Sequence, residues 1–153
     1  MKTVIIPANF SNESLNVAET FVRNTKEETH IIFTHLFHVP DDIQDLLFSN
    51  YRKREYDLVP EEFWRECKIL KDLYSDRLMT IKIEFFYGNK LAAFKNFLEF
   101  HEVDVIAYSE SMGVPKLGKS SMDAVPVIKK SGLPLVDTDL IGESAFTGLQ
   151  STR

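Results

Sequence analysis

The segment Gly113-Val114-Pro115-Lys116-Leu117-Gly118-Lys119-Ser120 matches the string G-x-x-x-x-G-K-[ST] residue for residue. In a phosphate-binding loop of that kind the glycines fold the backbone into a nest of N–H groups, the lysine reaches the outer phosphates and the hydroxyl holds Mg²⁺. The string follows the fourth of five expected strands, which leaves one strand for the rest of a nucleotide-hydrolysing core. Asp137 after Leu135-Val136 imitates a metal-holding carboxylate, but Pro134 and the shortness of that strand make the match poor. The string therefore predicts either a glycine-containing turn into a capped helix that binds nothing, or a βα loop that cradles a phosphate.

Other reactive side chains do not assemble into a site. His35 and His38, three residues apart on a strand, point to opposite faces and have no third ligand nearby, so no metal centre is expected. His30 and His101 flank apolar segments as boundary residues. Cys67 falls on an apolar helical face with Phe63 and Leu70, the setting of an inert core thiol. The serines near residue 110 lack the G-x-S-x-G elbow and an assignable His and Asp, which argues against a hydrolase triad. Asp41, Asp42, Glu61 and Glu62 lie in charged, solvated segments. No catalytic residue is assigned, and the chain is read as a non-enzyme.

Short apolar runs alternate with stretches of helical period, the mark of βαβ units and a doubly wound parallel sheet with helices on both faces. Strands are expected over 3–7, 30–37, 80–86, 103–108 and 133–137. Ser11 is placed to cap a helix with Leu15, Ala18, Phe21 and Val22 on one face, and Glu13 suits the positive end of its dipole. A short helix through Ile43, Leu46 and Leu47 is expected within an excursion over 40–60. A longer one carries Phe63, Cys67, Leu70 and Tyr74. Asn89 is expected to cap a helix whose stripe is Leu91, Phe94, Phe97 and Leu98. Ser120 and Asp123 have capping-box spacing for a last helix, confined by Pro126 to its C-terminal side and stopped by Gly132.

The chain reads as one domain over 1–140 with a polar tail over 141–153. With 153 residues, 44% of them hydrophobic, it is long enough to hide roughly 70% of its unfolded surface, and twelve Phe residues are mostly core packing. A net charge of −5 argues against a nucleic-acid surface. The one basic run, Arg52-Lys53-Arg54, is flanked by Glu55 and Asp57 and reads as a solvated loop. A single cysteine excludes an internal disulfide and suits a reducing compartment. The start at Thr3-Val4-Ile5-Ile6 lacks signal-peptide architecture and no run approaches the roughly 20 apolar residues of a membrane span, so a cytoplasmic protein with no membrane partner is expected.

Five strings in order resemble the universal stress protein family: Val4-Ile5-Ile6-Pro7-Ala8-Asn9-Phe10-Ser11, Thr34-His35-Leu36, Gly88-Asn89, Asp104-Val105-Ile106-Ala107-Tyr108 and Ser131-Gly132-Leu133-Pro134-Leu135-Val136. The resemblance implies a Rossmann-like, adenine nucleotide α-hydrolase-like sheet of five parallel strands, a homodimer joined through the last strand, and a role in stress response. Some family members bind ATP through a loop of pattern G-x2-G-x9-G-[ST]. Here Ser109 and Met112 replace the first two glycines, the final pair falls between Gly118 and Met122, and Asn9 replaces an Asp. The implied nucleotide set is Ala8, Asn9, the backbone at Leu36, Ser109, Gly113, Gly118, Lys119, Ser120 and Ser121. Two functions are weighed: a non-enzymatic, dimeric stress-response protein with weak or no nucleotide affinity, and an ATP-binding switch or slow ATPase that takes ATP with Mg²⁺ on the 113–121 loop, using Lys119, Ser120 and Ser121 in place of the glycines.

Overall fold

The computed structural model describes residues 1–39 and 55–141. Strand β1 (Lys2–Pro7) buries Val4, Ile5 and Ile6 completely, and the period-two alternation sends Val4 and Ile6 to one face and Ile5 to the other. A strand buried on both faces belongs in the middle of a sheet. β1 pairs in parallel with β2 (Thr29–Phe37), Lys2 opposite Thr29 through Pro7 opposite Thr34, and on its other side with β4 (Val105–Tyr108). β3 (Leu78–Tyr87) extends the sheet beyond β2 and β5 (Leu135–Asp137) beyond β4, giving the all-parallel order β3-β2-β1-β4-β5.

Helices cover both faces, as parallel crossovers require. On one, α1 (Asn12–Arg23) and α3 (Glu61–Leu73) close over Val4, Ile6, Ile31 and Phe33 with Val17, Phe21, Phe63 and Leu70; a single turn, α2 (Glu55–Leu58), precedes α3. On the other, α4 (Leu91–Phe100) and α5 (Ala124–Lys129) bring Phe94, Leu98 and Ile128 against Ile5, Ile32 and Ile106. Among the described residues no helix is long and apolar enough to cross a membrane. The expected helix through Ile43, Leu46 and Leu47, and the tail from 142, lie outside the described residues.

The caps differ from expectation. Ser11 holds the N-cap position of α1, but its side chain donates to Asn9 Oδ1 at 2.6 Å, and only its carbonyl serves the helix, accepting Ser14 N–H at 3.1 Å. Lys90 stands at the N-cap of α4. Asn89 instead joins the ends of β2 and β3, accepting Val39 N–H at 3.0 Å and donating to Val39 O at 3.3 Å. Asp123 precedes α5 without a side-chain cap, and Ser120 is drawn away toward β2. Pro126 is the third residue of α5, in the first turn, where a backbone N–H has no intrahelical acceptor anyway; the helix therefore begins ahead of the proline. β5 is shorter than expected: Leu133 packs against the second core outside the ladder, and Pro134, which has no N–H, contributes only its carbonyl, accepting Ile106 N–H at 3.0 Å.

Phe10, in the turn between β1 and α1, adopts φ 61°. A bulky residue there costs about 1–3 kcal/mol. Packing offsets the cost: the ring is 2% exposed and lies 5.5 Å from both Phe63 and Phe85. Phe10→Ala retains the strained backbone and empties the cluster, so urea denaturation is expected to show a loss of roughly 3–5 kcal/mol. A loss below about 1 kcal/mol would mean that the ring does not hold the turn.

Candidate functional site

From β1 the chain winds out through β2 to β3, then returns over the opposite face to β4 on the other side of β1. Connections leaving β1 and β4 diverge, and open sheets of this kind bind ligands in the crevice so formed, beyond the carboxyl ends of the strands. A crevice of about 230 Å³ lies there, lined from the β1 side by Ala8, Asn9, Glu13 and Ser14 and from the β4 side by Ser109, Met112 and Gly113. It is smaller than the roughly 300–1,000 Å³ of ligand pockets. The Asn9 Oδ1 accepts from Ser11 Oγ and Ser14 Oγ at 2.6 and 3.1 Å. The neighbouring Ser11 side chain, followed by the Glu13 backbone N–H, lowers the Glu13 pKa, leaving a negative charge at the mouth.

The loop from β4 to α5 forms the other wall, and its polar groups bond within the protein at two anchors. The first is Asp139, just past β5. Its Oδ1 accepts the Ser109 hydroxyl at 2.6 Å and its Oδ2 the Ser111 N–H at 2.8 Å. Beside it, Asp137 Oδ1 accepts from Glu110 N–H at 3.2 Å and Asp139 N–H at 3.0 Å. The Ser109 hydroxyl, followed by the bonds from Ser111, pulls the Asp139 pKa down. A protein carboxylate thus sits on donors at the start of the loop. On the outside Lys129 Nζ meets Glu110 Oε1 at 2.6 Å.

The second anchor is Ser121. β1 stops at Pro7, opposite Thr34, while β2 continues to Phe37, and residues 120–122 lie antiparallel against that overhang. Leu36 O accepts Met122 N–H at 2.8 Å, and Ser120 O accepts His38 N–H at 2.7 Å. The Ser121 hydroxyl, 2% exposed, lies 2.7 Å from His35 Nε2 and accepts the N–H groups of Leu117 at 2.9 Å and Gly118 at 3.2 Å. His35 Nδ1 is 2.6 Å from the Ala8 carbonyl. Burial lowers the His35 pKa against a smaller opposing effect of the Ala8 carbonyl.

The residues implied in nucleotide binding therefore separate. Ala8, Asn9, Ser109 and Gly113, the last with φ 63°, line the crevice. Leu36 is buried with its carbonyl bonded to the loop. Gly118, Ser120 and Ser121 belong to the anchor on β2, and Lys119 is exposed between them. The literal G-x-x-x-x-G-K-[ST] string does not form an anion nest at a helix start. Its Leu117 and Gly118 amides face Ser121, and α5 begins only at Ala124.

Sequence reasoning placed His35 in a failed metal pair and found no His for a serine. Among the described residues no group of His, Cys, Asp and Glu could hold a metal. A Ser121–His35 contact does exist, but the serine oxygen is buried and already accepts two N–H bonds, so it is no nucleophile. The signal for this pair was a histidine inside the mostly apolar stretch 31–37, and for Asp139 a second acid two residues after Asp137. The remaining groups are structural. His30 Nδ1 meets Thr80 Oγ1 at 2.7 Å, His101 packs on Phe97, and burial pushes the Cys67 thiol up to about 12, with a further contribution from Glu66.

Solved structures share this architecture. Universal stress protein UspA from Lactobacillus plantarum superposes with a TM-score of 0.58 at 10% identity, over 89% of this chain and 96% of that one. This is the universal stress protein fold. The hypothetical proteins MJ0577 and PH0823 share it, each with a TM-score of 0.52 over 89% of this chain and 94% of theirs, at 19% and 17% identity. No family model and no curated protein matches the sequence.

Within this universal stress protein fold the Asp139 anchor is open to measurement. Asp139→Ala deprives the Ser109 hydroxyl and Ser111 N–H of their acceptor, and a stability loss of about 1–2 kcal/mol at pH 7 is expected. The folded-state pKa is depressed, so the wild-type advantage is fully present above the unfolded carboxyl value of about 3.9 and shrinks as pH falls through the lower folded value. Denaturant midpoints of both proteins across this range test it; a gap that does not close in acid counts against the anchor.

Proposed function

We propose that this chain is a universal stress protein-like, non-enzymatic stress-response protein of the cytoplasm that acts through binding or dimer-based signalling rather than through a nucleotide. The observation that carries this reading is the bonding within the β4–α5 loop, where Ser109, Ser111, Leu117 and Gly118 donate to Asp139 and Ser121. An adenine nucleotide that used those donors would have to displace a buried hydroxyl and a carboxylate, beside the negative charge of Glu13. The alternative, an ATP–Mg²⁺ switch or slow ATPase built on the 113–121 loop, draws on the exposed Lys119. Protein purified without added nucleotide is expected to retain none. Calorimetry at about pH 7.5 with ATP and Mg²⁺ is expected to give the same weak or absent binding for wild type and Lys119→Ala; micromolar affinity lost in the variant would establish the switch instead.

Dimerisation through the last strand is part of the proposal. β5 lies at the end of the sheet, three residues long, and the exposed Leu140 follows it at 63% exposure. Joining such edges across a two-fold axis satisfies their backbone groups. Light scattering at micromolar concentration is expected to give the mass of a dimer, and a monomer would contradict this mode of action.

A further inference from the structure

The hydrogen atoms around Ser121 can be assigned by counting. A carbonyl oxygen only accepts, so the His35 Nδ1 facing Ala8 O at 2.6 Å carries a proton. In the neutral ring Nε2 is then an acceptor, and the Ser121 hydroxyl donates to it across 2.7 Å. This leaves two lone pairs on Ser121 Oγ, matched by the two N–H groups of Leu117 and Gly118. Every donor and acceptor capacity of the hydroxyl is filled, and the arrangement exists for one protonation state of the histidine.

Protonation of His35 makes Nε2 a donor. Ser121 Oγ then faces three donors with two lone pairs, and its own proton has lost its acceptor. An N–H of the loop must leave or the imidazolium stays unpaired, and either outcome costs the energy of a buried unsatisfied group. We propose that His35 is a proton-operated latch: neutral, it orients the Ser121 hydroxyl to hold the Leu117 and Gly118 amides at the end of β2; protonated, it frees those amides and loosens the loop beside the crevice, while the backbone bonds of Ser120 and Met122 to β2 stay in place. The proposal rests on the reading of this loop as internally closed at neutral pH.

The surroundings of His35 leave its charge uncompensated. Ala8 and Phe10 meet it from the β1–α1 turn, Phe37 from its own strand and Ser121 from the loop. β3 places Phe85 opposite it and Tyr87 against Phe37, and α3 supplies Phe63 behind Phe10. Lys119 is exposed two residues before Ser121, and His38, three residues on along the chain, meets Asn89 Oδ1 at 3.3 Å. Among the described residues no carboxylate bonds the ring or contributes to the shift of its pKa. Burial lowers the His35 pKa, in agreement with a group held neutral at pH 7, so the clamp is intact there and weakens as pH falls below the ordinary value of about 6.5.

Amide hydrogen exchange resolved by residue, with the His35 ring followed by NMR, tests the latch between about pH 7.5 and about pH 4.5. After correction for intrinsic rates, the protection of Leu117 and Gly118 is expected to fall at least about tenfold as His35 titrates, while Ile5 and Ile106 in the central strands stay protected. In His35→Gln, which keeps an acceptor for the serine and does not titrate, loop protection is expected to be independent of pH. In Ser121→Ala both amides should exchange fast at every pH, a readout that stands even if the glutamine variant fails to fold. The latch is refuted if Leu117 and Gly118 stay protected after the ring has titrated, if they open equally in His35→Gln, or if they exchange only together with Ile5 and Ile106. ATP calorimetry at about pH 7.5 decides the functional reading independently, because the latch is closed at that pH in either case.

Discussion

A buried serine hydroxyl can make three hydrogen bonds, and at Ser121 all three reinforce the short antiparallel bridge between the β4–α5 loop and the end of β2. One reaches His35 in the second strand; the others gather two successive amides of the long β4–α5 loop. Because His35 also bonds the Ala8 carbonyl, the hydroxyl connects the exit of the first strand, the overhang of the second and the loop leaving the fourth. Those three segments surround the switch point of the sheet, where a doubly wound protein ordinarily keeps its ligand. Of the segments tied to this oxygen, the exit of the first strand and the loop leaving the fourth supply walls of the crevice.

The overhang itself depends on the aromatic cluster beneath it. Phe10 accepts a left-handed backbone to place its ring between Phe63 and Phe85, and Phe37 stacks on Phe85 and Tyr87. These rings make the apolar floor on which His35 sits and contribute to the burial that lowers its pKa, while the Ala8 carbonyl and the Ser121 hydroxyl fix the direction of its two nitrogens. Packing and polar bonding are one system here: a smaller ring at Phe10 would change the turn that carries Ala8 and Asn9 as well as the medium around the histidine.

The alternation of Val4, Ile5 and Ile6, the stripe of Phe94 and Leu98, and Gly132 at φ 88° were legible because each expresses a local rule of period or backbone conformation. The caps were less legible. Ser11, Asn89 and Ser120 all have cap chemistry, yet the Ser11 hydroxyl turned back to Asn9, and the Asn89 side chain and the Ser120 carbonyl found partners at the end of β2. Spacing along a sequence cannot rank a local bond against one made across the sheet. The same reason hid the anchors: Ser109 and Asp139 are thirty residues apart, and His35 and Ser121 eighty-six. The glycine and lysine string around Gly118 was visible, and its failure to form a nest was not, since that depends on a hydroxyl just outside the string.

Asp139 adds a competition argument to the bonding one. It is tethered a few residues beyond β5, and a tethered group acts at an effective concentration of about millimolar or more. A free anion at cellular concentration must outcompete it for Ser109 and Ser111 before gaining any affinity from the loop. Asp137 and Asp139 also fix where that loop stands, because Glu110 and Ser111 donate to them. Both acids belong to or directly follow the outermost strand. In the proposed dimer a partner pressing on that edge would bear on the same two carboxylates that hold the start of the loop, and through the loop on Ser121 and His35. Coupling of that kind needs no bound nucleotide, only an edge and a crevice joined by short hydrogen bonds with no slack between them.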